Sequence, residues 1–234
     1  MSDSDDSGQQ RHLRSYGRRR TRKLSASRDA LWQHTLPGLR PRLVDLRAGT
    51  PEAIFGQPLS DIWFEIGFGG GEHLVWQAEA YPGVGIIGCE PFVDGVVKTI
   101  AVLEQRHLRN VRLHDDDARD VLAALPDGAI GRVFILFPDP WPKLRHRKRR
   151  LVSADLIQAL ARVMRAGAEL RLATDIGDYA AQMLRVVLDS TRFEWPVKSA
   201  RDWRERCADW PPTRYEQKAV REGRRCAYLR FIRR

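Results

Sequence analysis

The sequence predicts an α/β fold built on a doubly wound, mostly parallel β-sheet with an antiparallel C-terminal strand. Three observations carry this expectation. From Asp61 onward, apolar runs of strand length alternate with segments of helical period. Residues 131–137 (GRVFILF) are apolar almost throughout, as in a central parallel strand covered on both faces. The last two strand-like runs, 192–197 and 225–232, have no clear helix between them, so the final pairing is antiparallel.

The elements follow in order. Residues 61–67 (DIWFEIG) form a strand and 72–80 a helix. Residues 84–90 (VGIIGCE) form the second strand, and the helix after it places Val93, Val96, Val97 and Ile100 on one face. Residues 111–114 make a short third strand and 131–137 the fourth. Ser153 caps a helix whose apolar face is Leu156, Ile157, Leu160, Val163 and Met164. Residues 169–174 form another strand, and Tyr179, Met183, Val186 and Val187 mark the helix behind it. Upstream, residues 31–60 lead into the fold through a short helix at 48–55. Residues 1–30, rich in Ser, Asp and Arg and poor in large apolar side chains, are expected to be a disordered basic tail. A single domain is therefore expected from 31 to 234.

A chain of 234 residues with 43% hydrophobic content has enough apolar material for one such core. No run approaches the ~18 apolar residues of a membrane helix. The first ten residues, MSDSDDSGQQ, lack the basic-then-apolar layout of a secretory leader. The cysteines are Cys89, Cys207 and Cys226, an odd number without a CxxC, which indicates neither a disulfide framework nor a zinc site. A cytoplasmic protein without a metal or an obligate protein partner is the expectation. The net charge of +10 favours a polyanionic ligand. Arg18, Arg19, Arg20, Arg22 and Lys23 form a basic run in the tail, either an arm for phosphate or a solvated segment.

The chemistry gathers at strand ends, where open α/β sheets bind ligands. The first strand runs into Gly67-Phe68-Gly69-Gly70-Gly71, a loop that lets backbone approach a ligand closely. A dinucleotide fingerprint wants glycine at its third place, and counting from Gly67 that place holds Glu72. Glu65 lies just before the loop. Acids here oppose a pyrophosphate and suit a cationic ligand such as S-adenosylmethionine, which carries an ammonium and a sulfonium. Glu90 ends the second strand, where a carboxylate can accept both ribose hydroxyls. Asp115, Asp116 and Asp117 follow the third strand, and spacing does not choose which one faces an adenine.

The fourth strand ends in Phe137-Pro138-Asp139-Pro140-Trp141-Pro142-Lys143. Its prolines stiffen the loop and hold Asp139 in one geometry, the preorganisation that group transfer needs. Leu144-Arg145-His146-Arg147-Lys148-Arg149-Arg150 follows at once, a charge density suited to phosphates.

With EIGFGGGEH, GCEPF, PDPWPKLRHRKRRLV, ATD and TRYE together, the sequence resembles the bacterial tRNA (guanine-7) methyltransferases from about Asp61 to the C-terminus. The resemblance implies a class I methyltransferase fold, Rossmann-like, and S-adenosylmethionine as methyl donor. It implies cofactor contacts at Glu65, Gly67, Gly69, Glu90, Asp117 and Asp139, with Asp139 also catalytic. It implies substrate contacts at Lys143, Asp175, Thr213, Arg214, Tyr215 and Glu216, and a target guanosine at position 46 of the tRNA variable loop. Arg145, Arg147, Lys148, Arg149 and Arg150 are expected to contact RNA. Three other readings compete: a nicotinamide oxidoreductase, opposed by Glu72; a non-catalytic RNA-binding protein, which leaves the strand-end acids unexplained; and an RNA amino-methylase using the Asp139–Trp141 loop.

Overall fold

The computed structural model describes residue 19 and residues 23–234. The expected tail falls mostly outside these residues, as do Arg18, Arg20 and Arg22 of its basic run. Helical structure begins at α1 (Ala26–Ala30), inside the stretch expected to lack it. A π-helical turn (Leu31–Thr35) and α2 (Leu36–Leu39) continue it, followed by α3 (Leu43–Ala48) and α4 (Pro51–Phe55). The expected helix at 48–55 is shortened to α4: Ala48 is the last residue of α3, and Thr50 caps α4, which Pro51 begins.

The core alternates strand and helix: β1 (Asp61–Ile66), α5 (Glu72–Ala80), β2 (Val84–Cys89), α6 (Val93–Gln105), β3 (Val111–His114), α7 (Ala118–Ala124) and β4 (Ile130–Leu136). After a 3-10 helix (Leu144–Arg149) come α8 (Ala154–Val163), β5 (Met164–Thr174), α9 (Gly177–Asp189) and β6 (Phe193–Glu194). The chain closes with α10 (Arg201–Arg204), α11 (Arg214–Arg221) and β7 (Ala227–Arg233). The seven strands lie in the order β3-β2-β1-β4-β5-β7-β6. The first five run parallel, and β7 pairs antiparallel with both β5 and β6. The fold class is the one expected.

One apolar cluster covers a face of the sheet with Val121 and Leu122 of α7, Leu156, Ile157 and Leu160 of α8, and Tyr179 and Met183 of α9. The other face buries Leu74 of α5, Val96 and Ile100 of α6, Leu36, and Trp210. The strand order reverses between β1 and β4, so the carboxyl ends of these two strands open onto the ligand crevice of a doubly wound sheet.

Three local expectations are corrected. Met164 does not belong to the α8 face: the helix stops at Val163 and Met164 opens β5. The strand at 192–197 shrinks to two residues, Phe193 and Glu194. The stretch between the last strands is not without helix, because the short α10 and the longer α11 lie there. Only Glu216 and Ala219 of α11 are buried, so apolar period gave no warning. The signal was Thr213-Arg-Tyr-Glu216, half of a capping box: Thr213 Oγ1 accepts the Glu216 N–H at 3.2 Å.

Candidate active site at the carboxyl ends of β1, β2 and β4

The glycine loop joins β1 to α5 with Gly67, Gly69 and Gly71 all at positive φ (78°, 56° and 79°). This is the left-handed region where a Cβ is costly. The loop is packed from behind by α6: a Cβ at Gly95 would lie 2.1 Å from the Gly69 carbonyl oxygen. Gly95 thus lets the helix press the loop into place.

Glu90, buried at 8% exposure, ties the loop to the end of β2. Its carboxylate accepts the Gly69 N–H at 2.7 Å and the Phe92 N–H at 3.0 Å. Burial pushes its carboxyl above the ordinary glutamate value; the two amides oppose the rise, and the nearby charge of Asp139 adds to it. Asp139 and Arg214 both lie close enough to act on Glu90.

Glu65 is enclosed in β1 and accepts a hydrogen bond from, or shares one with, His73 Nδ1 at 2.8 Å. His73 Nε2 lies 3.0 Å from Gln77, whose amide also donates to the Asp209 carbonyl. A buried polar chain therefore runs from the first strand to the segment before TRYE. Sequence reasoning missed His73 and Gln77, although their spacing of four residues on a helix puts them on one face.

The aspartate triplet is fully engaged. Asp115 pairs with Arg40 at 2.7 Å, and Asp116 pairs with Arg19. Asp117 caps α7 by accepting the Arg119 N–H at 3.0 Å and also takes the Arg119 guanidinium. Arg19 reaches this loop because its carbonyl accepts the Val93 N–H at 3.0 Å, at the first turn of α6.

Across the switch point, the loop after β4 holds Phe137 and Trp141 at positive φ (52° and 42°), a strained conformation for bulky side chains. Asp139 sits between them, exposed. Its carboxylate makes no hydrogen bond or ion pair among the described residues. Arg149 stacks its guanidinium over the Trp141 ring, 5.0 Å from the centroid, and the His146 ring stands edge-on to Trp141.

The basic run divides. Lys143, Arg145, Arg147 and Lys148 are exposed on the 3-10 turn or just before it, with Arg149 half-buried. Arg147 pairs with Asp178 at 2.7 Å. Arg150 departs from the expectation that it meets RNA: its residue exposure is 4%. It donates to the Pro140 carbonyl, Gln182 Oε1 and Asp178 Oδ2 at 2.7–2.8 Å, and lies over the Tyr179 ring. Its charge is spent inside, bracing the Asp139 loop against α9.

The TRYE residues divide as well. Thr213 and Glu216 are buried, and Glu216 accepts Arg206 Nε at 3.0 Å. Arg214 and Tyr215 face outward over the glycine loop. Asp175, after β5, is held by Arg224 at 2.6 Å. The lysine nobody would single out from sequence is Lys98 on α6, which donates to Glu72 Oε1 at 2.8 Å. Glu72 is thereby neutralised, so the acid at the third glycine place no longer argues by its charge alone.

Among the described residues no group of His, Cys, Asp or Glu is arranged to hold a metal ion. No helix among them is long and apolar enough to cross a membrane.

A mostly parallel seven-stranded sheet, closed by an antiparallel edge and carrying a glycine loop and strand-end acids at its switch point, defines a class I methyltransferase. Solved structures agree on the fold. The 16S rRNA methyltransferase KamB superposes with a TM-score of 0.54 at 16% identity, over 76% of this chain and 90% of that one. A 16S rRNA (adenine(1408)-N(1))-methyltransferase mutant from Catenulisporales acidiphilia, solved with cosubstrate SAM, gives 0.52 at 16% identity, over 82% and 89%. Residues 60–229 match a family described as putative methyltransferase. The chain is 46% identical to the tRNA (guanine-N(7)-)-methyltransferase of Rhodospirillum rubrum, covering 94% of this chain and 88% of that protein. It is 43% identical to the protein of that name from Paracoccus denitrificans over the whole of both. The chain belongs to the tRNA (guanine-N(7)-)-methyltransferase family.

Proposed function

We propose that this protein transfers a methyl group from S-adenosylmethionine to nitrogen 7 of a tRNA guanosine, at position 46 of the variable loop. The observation that carries the reading is Asp139: a carboxylate with no hydrogen-bond or ion-pair partner among the described residues, on a strained, proline-braced loop, across the switch point from Glu90 and directly before an exposed cationic turn.

The residues fit S-adenosylmethionine. A Cβ at Gly67 would meet no atom within 4 Å, so the loop presents open space to a ligand. Glu90, already oriented by two amides, offers its remaining lone pairs to ribose hydroxyls. Gly67 and Gly69 supply backbone, Glu65 the buried acid beneath the loop, and Asp117, which also caps α7, an acceptor for the adenine amino group. The cofactor's contribution is a methyl group on a positively charged sulfur.

Guanine N7 has an in-plane lone pair and carries no proton, so its methylation needs no general base. As the methyl moves, positive charge shifts onto the guanine ring. Asp139 stabilises that charge and holds the acceptor in line, acting through position and electrostatics. Lys143, Arg145, Arg147, Lys148 and Arg149 draw in the tRNA backbone. Arg150 acts from below, by bracing the loop. Thr213 and Glu216 shape α11 so that its exposed residues, with Asp175, border the substrate. The reading has the protein act on tRNA in the cytoplasm without an obligate protein partner.

The test is methylation of unmodified tRNA transcripts with labelled S-adenosylmethionine, followed by nucleoside mass analysis. Wild type yields 7-methylguanosine at one variable-loop position. Asp139→Ala loses most of the transfer while its unfolding midpoint stays that of wild type. Near-wild-type turnover in this variant overturns the assignment.

A further inference from the structure

We infer that Arg214 is a cofactor residue: its guanidinium receives the carboxylate at the amino-acid end of the S-adenosylmethionine molecule. This rests on the methyl-donor reading above, and it takes Arg214 away from the RNA.

The first argument is placement. A Cβ at Gly69 would lie 3.2 Å from Arg214 Nη2, and one at Gly70 would lie 3.0 Å from it. The guanidinium therefore hangs over the middle of the glycine loop. Glu90 marks the ribose end of a bound nucleoside at β2, and Asp139 marks the acceptor side at β4. The stretch of ligand left to cover Gly69 and Gly70 is its amino-acid tail.

The second argument is that this placement is built. Asp209, upstream of α11, takes two hydrogen bonds from Arg171 at 2.8 Å each, and Gln77 donates to its carbonyl at 3.1 Å. Trp210 is buried against His73 and Tyr228. Arg206 holds both the Trp210 carbonyl and Glu216. With Thr213 capping the helix, the segment is pinned on both sides of Arg214.

The third argument is charge. Arg214 makes no side-chain hydrogen bond among the described residues, and its nearest carboxylate oxygen, Glu72 Oε1, is 3.8 Å away. That oxygen is already taken by Lys98 at 2.8 Å. Over Gly70, Lys98 and Arg214 share the single carboxylate of Glu72, and Arg214, though near enough to Glu90 to act on its charge, has no carboxylate of its own within hydrogen-bond reach among the described residues. A planar guanidinium with unspent donors is the side chain best matched to a carboxylate. The acids Glu65, Glu90 and Asp139 serve the cationic and hydroxyl parts of the ligand but offer nothing to its anion. The exposed turn at 143–149 already provides the cations for RNA phosphate.

The experiment is calorimetric binding of two probes to three proteins. The probes are S-adenosylhomocysteine and its decarboxylated analogue, which keeps the adenosine, the thioether and the ammonium. The proteins are wild type, Arg214→Met and Arg214→Lys. Wild type prefers the carboxylate-bearing probe by about tenfold, the worth of one charged hydrogen-bonded contact. In Arg214→Met that preference falls below about twofold, while the decarboxylated probe binds as it does to wild type. Arg214→Lys falls between, having the charge without the fork. An undiminished preference in Arg214→Met overturns the inference, as does equal loss for both probes. Wild type that binds neither probe sinks the methyl-donor reading along with it.

Discussion

Glu90 accepts the backbone N–H of Gly69 at 2.7 Å, so the acid at the end of β2 and the glycine loop after β1 are one unit. Removing the side chain therefore costs both a ligand acceptor and the tether that shapes the loop. Glu90→Ala is expected to weaken S-adenosylhomocysteine binding by about 1.5–3 kcal/mol, the usual cost of a charged hydrogen-bonding partner. tRNA binding, held by the 143–149 turn, changes much less. Calorimetric titration with each ligand checks this, and an unchanged nucleoside dissociation constant would remove Glu90 from the cofactor contacts.

The same burial gives a pH signature. Glu90 holds its proton to a higher pH in the folded protein than in the unfolded chain, where its value is ordinary. Between those two values the native state binds the extra proton, so this group's contribution to stability falls as pH rises through the window. Wild type is expected to gain stability relative to Glu90→Gln as pH drops from 7 toward the ordinary glutamate range. Urea unfolding of both proteins across that range checks it. A flat difference contradicts a raised carboxyl.

The basic run should separate into two kinds of residue. Arg150→Met loses three hydrogen-bond acceptors' worth of bracing and is expected to destabilise the fold by about 1–3 kcal/mol. Neutralising Arg145 and Lys148 leaves stability within about 0.5 kcal/mol. It should instead reduce the salt dependence of tRNA binding by roughly 0.7–0.9 in log–log slope per lost contact. Denaturation and salt-titrated binding on the same variants decide it, and an identical salt slope in the Arg145, Lys148 variant would remove the turn from the RNA surface.

Why Arg150 was misjudged from sequence is physical. A run of basic residues shows where charge is dense but not which way each side chain turns. Arg150 turns inward because Asp178 and Gln182, one helical turn apart on α9, meet the Pro140 carbonyl at that point, and this convergence exists only in three dimensions. The strands, by contrast, were legible because burial on both faces demands continuous apolar runs, as in β4. The glycine loop and Glu90 were legible because they sit at strand ends in a fixed order. α11 was written in its cap, Thr213 and Glu216, and hidden from apolar period because its buried face is so small. The Lys98 and Glu72 pair spans separate helices, and nothing in local pattern announces it.

That cap has a measurable worth. Thr213→Ala is expected to lower stability by about 1 kcal/mol, and Thr213→Ser to restore most of it, since either hydroxyl can accept the Glu216 N–H. Equal stability of Thr213→Ala and wild type in urea would mean that the cap does not hold α11.

The central claim concerns one atom, nitrogen 7 of the target guanine, and one substitution isolates it. A synthetic tRNA carrying 7-deazaguanine at the variable-loop target keeps the exocyclic amino group, the sugar and the phosphates but lacks the nucleophile. Incubated with the protein and labelled S-adenosylmethionine, it is expected to bind nearly as well as the natural tRNA, weakened by no more than about 0.5–1.5 kcal/mol for one lost hydrogen bond. It should take up no label at that residue, while the unsubstituted tRNA is methylated there. Undiminished label in the substituted guanine would contradict the account and point to methylation of an amino group by the Asp139–Trp141 loop.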